Sequence, residues 1–197
     1  MAYQRKDVFY NRAKRAGYRS RAAYKLEELT ERYNLLRSGD HVVDLGAWPG
    51  GWLQVAAQRI GPRGLVVGVD LQKIDPLPGL ANVRLIQGDI LDPAIIEQAL
   101  ADCSERVDVI ISDMAPKLSG IRDRDLANAT MLAEATLSVA RQILRPGGRL
   151  LLKLFMGPET KILLDRLRAD FRAVRTTRPE ATRRGSAEIY AIAMDSK

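Results

Sequence analysis

A single cysteine, Cys103, in 197 residues leaves no partner for an internal disulfide and removes every cysteine-based metal cluster, which suits a reducing compartment. Histidine is as scarce. His41, the only one, precedes an apolar run and so lies at the edge of a parallel sheet where catalytic groups do not gather. That excludes histidine-based nucleophile triads and leaves no expected metal site. No apolar stretch approaches the length of a bilayer span, and no signal-peptide core opens the chain. The expectation is a cytoplasmic protein with no membrane partner. The N-terminal region is rich in arginine, but it holds one serine before residue 25 and several aromatics, unlike a transit peptide. Internal repeats, low-complexity tracts and linkers are missing too. One domain over residues 1–197, by default monomeric, is the expected organisation.

What is present in excess is positive charge, +7 net with a pI near 9.7, a field that draws in polyanions such as RNA. The charge is uneven. Arg5, Lys6, Arg12, Lys14, Arg15, Arg19, Arg21 and Lys25 face one acid, Asp7, and alternate with Tyr3, Phe9, Tyr10, Tyr18 and Tyr24. Phosphate-neutralising side chains beside stackable rings suit RNA with unpaired bases; a solvated basic arm over residues 1–18 is the plainer reading. A second basic stretch contains Arg172, Arg175, Arg178, Arg183 and Arg184. From these segments Arg12, Arg15, Arg19, Arg21, Arg183 and Arg184, with Lys117, are the expected RNA contacts.

From residue 41 onward, apolar β-rich runs alternate with helical patterns. The runs are His41–Leu45, Gly64–Leu71, Val83–Ile90, Val107–Met114, Gly148–Phe155, Phe171–Thr177 and Glu188–Met194; the helices are Gly51–Ile60, Pro93–Asp102, Asp125–Leu144 and Pro158–Ala169. Near-continuous apolar strands joined by helices predict an α/β domain with a largely parallel sheet covered on both faces. The helix-free connection through Arg178 to Ser186 predicts an antiparallel hairpin for the last two strands. Residues 19–33 read as a separate leading helix.

Open parallel sheets bind ligands at the carboxyl ends of their strands. There the first strand runs into Asp44-Leu45-Gly46-Ala47-Trp48-Pro49-Gly50-Gly51-Trp52. Gly46, Gly50 and Gly51 let the backbone pass close to a ligand. The spacing matches neither the dinucleotide fingerprint nor the P-loop. Acids instead mark the strand ends: Asp44 on the first, Asp70 on the second, Asp89 after the third. An acid at the end of strand two takes ribose hydroxyls, and Asp89 suits an adenine amine. S-adenosyl-L-methionine, with a ribose, an adenine, a sulfonium and no phosphate, fits this set; helix-capping acids around a tight turn are the bland alternative. Trp52 reads as a wall of this site.

Four scattered residues complete the pattern. Lys25 lies on the leading helix, Asp113 and Lys153 end strands, and Glu188 opens the last one. Two amines and two carboxylates at one sheet edge are a device for taking a proton from a weak acid such as a hydroxyl. A lysine serves as base only when neutral, which a second amine nearby favours. A structural Asp113–Lys153 ion pair, a solvated Lys25 and an edge-strand Glu188 are the alternatives.

Ser20-Arg21-Ala22-Ala23-Tyr24-Lys25-Leu26, Val43-Asp44-Leu45-Gly46 with Pro49-Gly50-Gly51-Trp52, Ser112-Asp113-Met114-Ala115-Pro116, Leu152-Lys153-Leu154-Phe155 and Glu188-Ile189-Tyr190 closely resemble the FtsJ/RrmJ (RlmE) family of methyltransferases. The resemblance runs in order from about Arg19 to the C-terminus. It implies the Rossmann-like methyltransferase sheet of seven strands with the last antiparallel, S-adenosyl-L-methionine as cofactor, and methylation of RNA ribose 2′-hydroxyls. It further implies cofactor contacts from Gly50, Trp52, Asp70, Asp89 and Asp113, and a catalytic tetrad of Lys25, Asp113, Lys153 and Glu188 with Lys153 as base. Trp48 stands where the family often has a small residue, and Lys117 where asparagine is common. A uridine of large-subunit (23S) rRNA in the ribosomal subunit is the expected substrate, with tRNA and mRNA caps as relatives' alternatives. A small-molecule methyltransferase and a non-catalytic RNA-binding assembly factor are the competing functions.

Overall fold

The computed structural model describes residues 8–105, 107–117, 119–183 and 185–197. Arg184 and the start of the basic arm, with Tyr3, Arg5 and Lys6, lie outside the described residues.

Seven strands form one sheet in the order β3-β2-β1-β4-β5-β7-β6. They are β1 (His41–Leu45), β2 (Leu65–Asp70), β3 (Val83–Gln87), β4 (Val107–Ser112), β5 (Leu144–Phe155), β6 (Phe171–Thr177) and β7 (Glu188–Ser196). The pairs among β1 to β5 are parallel, and β7 runs antiparallel to both β5 and β6. This is the expected sheet. The short, helix-free path from β6 leaves β7 no room for a parallel crossover, so it returns between β5 and β6.

The helices are α1 (Val8–Arg15), α2 (Ala23–Tyr33), α3 (Gly51–Ile60), α4 (Pro93–Asp102), α5 (Arg122–Ile143) and α6 (Thr160–Asp170). Side chains alternate across a strand, so successive residues feed opposite cores. Val43, Val67, Ile110 and Leu152 pack with α4, α5 and α6; Val42, Val66, Ile111 and Leu151 pack with α2 and α3. Residues of β4 are buried from Val107 to Ser112, which is why it reads as a mostly apolar run rather than an alternating one; its buried Asp108 pairs with Arg145 at 2.6 Å.

Two differences from the sequence expectations concern the N-terminal segment. The leading helix begins at Ala23, because Arg19 and Ser20 are held against α3: the Arg19 amide donates to Gln54 Oε1 at 2.9 Å, and a Cβ on Gly51 would lie 2.3 Å from Ser20 Oγ. Residues 8–15 of the expected arm form α1, whose Ala13 is buried with Tyr24 and Ala181. The Phe9 and Tyr18 rings flank Tyr24 at 5.9 and 5.7 Å. Aromatic and methyl burial anchors this helix.

Candidate functional site

The carboxyl ends of β1, β2 and β4 and the turn after β3 border a crevice of about 550 Å³ lined by Gly46, Trp48, Asp70, Gly88, Asp89, Asp113, Met114 and Leu132, among others. That size suits a cofactor. Gly46, at φ +79°, is required twice over: its backbone is left-handed, and a Cβ would lie 2.3 Å from Met114 Cγ. Asp70 is aimed by two amides, Trp48 N–H at 2.9 Å and Gln72 N–H at 2.7 Å. Asp89 accepts from Leu91 N–H at 2.9 Å. Each oxygen keeps a further lone pair for a ligand.

Asp44 lies beneath the turn, 1% exposed, and both its carboxylate oxygens lack a hydrogen-bond partner among the described residues. Burial first, then the charges of Asp113 and Asp70, holds its pKa well above the usual carboxylate range. Orphaned buried acceptors are costly, and a ligand bearing donors or positive charge would complete them. Three aspartates against the single cation Lys117 in the crevice lining are the reverse of a phosphate cradle. These residues fit an adenosyl sulfonium.

Not every expected cofactor residue faces this crevice. Trp52 is 4% exposed; its indole N–H donates to Ala22 O at 2.8 Å and its ring packs 6.1 Å from that of Tyr190. It is a core ring, since the helix phase of α3 turns it under α2. Gly50 and Gly51 face Arg19 and Ser20. Arg19, expected on RNA, is committed elsewhere: its guanidinium donates to Pro49 O, Asp75 O and Pro76 O at 3.2, 2.6 and 2.5 Å. It ties the glycine turn to the β2–β3 connection.

At the next strand ends, Lys25, Asp113, Lys153 and Glu188 come together. Lys25 Nζ donates to Glu188 Oε1 at 2.5 Å and to Tyr190 Oη at 3.1 Å. Tyr190 Oη in turn donates to Asp113 Oδ1 at 2.5 Å, and Lys153 Nζ donates to Asp113 O at 2.7 Å and Oδ1 at 3.0 Å. The four expected residues are thus one hydrogen-bonded chain, and Tyr190 is its middle link. Lys25, Lys153 and Glu188 are 6, 9 and 9% exposed. Burial, with Asp113 and Glu188 beside it, pushes the Tyr190 phenol well above its ordinary range, so it remains a donor to Asp113. Sequence reasoning gave Tyr190 no role. The available signal was period two: it follows Glu188 by two residues on one strand, so both point to the same face.

The basic segments meet on one side of this chain. Arg21 donates to Ala181 O at 3.0 Å, the Glu180 amide donates to Glu28 Oε2 at 2.8 Å, and Ala181 packs with α1 and α2. Arg12 and Arg15 are exposed on α1, Arg12 lying 4.5 Å over the Tyr24 ring, and Arg183 and Lys117 are also exposed. His41 and Cys103 stay at the opposite edge, joined by a 2.7 Å bond from the imidazole Nδ1 to Cys103 O. Burial, then Asp102 and Asp108, pushes the Cys103 thiol up to about 12, far from a nucleophile's range.

A profile for FtsJ-like methyltransferases matches residues 18–196. The chain belongs to the FtsJ-like methyltransferase family. Among its relatives, Ribosomal RNA large subunit methyltransferase E of Methanothermobacter thermautotrophicus is 45% identical over 196 residues, covering 100% of this chain and 92% of the relative. The protein of the same name from Syntrophobacter fumaroxidans is 44% identical over 98% of each chain. A crystal structure assigned to a ribosomal RNA methyltransferase of Plasmodium falciparum superposes with a TM-score of 0.81 at 30% identity, covering 91% of this chain and 98% of that one. The FtsJ-like chain is therefore a methyl-transfer enzyme. None of its described helices is long and apolar enough to cross a membrane.

Proposed function

We propose that this methyltransferase takes its methyl group from S-adenosyl-L-methionine and places it on a ribose 2′-hydroxyl of large-subunit ribosomal RNA. The observation that carries the reading is the bonded chain Glu188–Lys25–Tyr190–Asp113–Lys153 opening beside an acidic, phosphate-averse crevice. Asp70, Asp89 and Asp113 hold the cofactor, whose sulfonium supplies an electrophilic methyl group, and Asp44 underlies them. A ribose hydroxyl is a weak nucleophile until its proton has somewhere to go. A neutral lysine amine has two N–H donors and one lone pair. Lys153 spends two hydrogen bonds on Asp113, which aims the lone pair at the hydroxyl. Asp113 orients Lys153, while Lys25 and Glu188 form the outer pair that Tyr190 couples to it. The rRNA substrate is favoured by the names of the relatives and by the exposed arginines of α1 and the β6–β7 connection.

Radiolabelled methyl transfer to undermethylated large ribosomal subunits, with tRNA in parallel, tests the reading. Label mapped to a subunit ribose is expected; label only on tRNA moves the substrate, and no label on either overturns the proposal. Tyr190→Phe should lower kcat by at least about tenfold, because it removes two hydrogen bonds to charged partners, Lys25 and Asp113, and should lower the melting temperature by only a few degrees because the ring still packs on Trp52. An unchanged kcat would remove Tyr190 from the machinery.

A further inference from the structure

A second cavity lies on the other side of the same loop. It measures about 170 Å³ and is lined by Pro116, Arg122, Leu126, Phe155, Met156 and Ala187, with Asp125 at its edge. It shares no residue with the cofactor crevice, although Ala115 and Lys117 line that crevice and Pro116 lines this pocket. Residues 115–117 are the partition between them. Three of the four tetrad residues have near neighbours in the lining: Pro116 follows Asp113 by three residues, Phe155 follows Lys153 by two, and Ala187 directly precedes Glu188. In the β5–β7 pairing Phe155 stands opposite Glu188, as Lys153 stands opposite Tyr190.

We infer that this pocket receives the unpaired base of the nucleotide being methylated, stacked on Phe155. The inference rests on the ribose-methylation reading and names its substrate subsite. A base hangs from C1′, the carbon next to the one that carries the 2′-hydroxyl. With the hydroxyl at the Lys153 amine, the base must lie within one sugar's width of it, and the Phe155 ring centroid is 5.8 Å from Lys153 Nζ. The walls suit a flat apolar ring: Pro116, Leu126, Phe155, Met156 and Ala187 supply apolar surface, and Met156 is 52% exposed. Arg122 supplies the positive rim that a polynucleotide backbone calls for. Asp125 keeps its negative charge but is held back at the loop, its carboxylate accepting from Ser119 N and Oγ at 2.8 and 2.7 Å and from Gly120 N at 3.2 Å. The volume, below the roughly 300 Å³ at which pockets for larger ligands begin, suits one base. The enzyme therefore takes its nucleotide from a loop or flips it out of a helix.

The test uses the full-length protein on undermethylated large subunits. Phe155→Ala should lower kcat/KM by about 10- to 100-fold, the loss expected for one stacked base, without moving cofactor affinity measured by calorimetry. Phe155→Tyr should restore most of it, and Phe155→Leu, which fills space without a ring face, should not. A photoreactive diazirine phenylalanine at position 155, which keeps the ring even where Phe155→Ala unfolds, should crosslink to the methylated nucleotide. Rescue by Phe155→Leu, a crosslink elsewhere, or no crosslink overturns the pocket. Absence of methyl transfer by the unaltered enzyme instead overturns the functional reading, and the pocket with it.

Discussion

Lys153→Met should reduce kcat by about 10²- to 10⁴-fold, the range a positioned general base contributes, with little change in RNA KM, cofactor affinity or stability. Stability is spared because the partner left behind, Asp113, has a side chain 20% accessible to water and still accepts from Tyr190. The decisive variant is Lys153→Arg. Arginine keeps the positive charge and two donors for Asp113, but its guanidinium is not deprotonated in proteins. If Lys153 takes the hydroxyl proton, Arg is as inactive as Met. If it acts only as a fixed charge, Arg keeps much of the rate. Single-turnover transfer under saturating cofactor separates these outcomes, and an active Lys153→Arg would sink the base assignment. Lys25→Met is a poorer probe. It strands Glu188, 9% exposed, so lost activity and lost folding arrive together.

The strands were legible because burial on both faces writes itself as an uninterrupted apolar run; β1, α3, α4 and β6 begin and end where the pattern placed them. Asp113, Lys153 and Glu188 were legible because each sits at the end of such a run, and Lys25 because it lies on the amphipathic leading helix. What the sequence concealed were directions and partners. Trp52 and Gly51 follow the glycine turn as closely as the crevice residues do, but the first turn of a helix rotates each residue by about 100°, and that phase sends them to Ala22 and Ser20. Arg19 looked like one more cation of a basic arm; its carbonyl partners lie as far away as residue 76. Tyr190 was hidden for a related reason. Its meaning comes from Lys25 on α2 and Asp113 after β4, which only the assembled sheet brings to its hydroxyl.

Asp40→Ala should be the most destabilising of the simple substitutions outside the site, by about 3–5 kcal/mol, while the enzyme that remains folded turns over normally. Arg149 is 1% exposed on β5. Its guanidinium donates to Asp40 Oδ1 at 2.7 Å and to Leu35 O at 2.6 Å, and its Nε has no partner among the described residues. The pair sits four residues before Lys153, toward the sheet edge opposite the tetrad. Removing Asp40 leaves a charge that cannot be protonated away in a nearly dry site, and also frees the Arg37 amide that Asp40 Oδ2 accepts at 2.6 Å. Against a typical total stability of about 5–15 kcal/mol, this lowers the melting temperature by roughly 6–20 °C for a domain of this size. Buried ion pairs rarely add net stability over an apolar replacement, because desolvating both charges offsets their attraction. The double variant Asp40→Leu with Arg149→Met should therefore recover most of the loss. Urea denaturation of the single and double variants checks both statements. A loss below about 1 kcal/mol for Asp40→Ala would place water at the guanidinium, and a double variant no better than the single would mean that the pair's other hydrogen bonds, to Leu35 and Arg37, carry the effect.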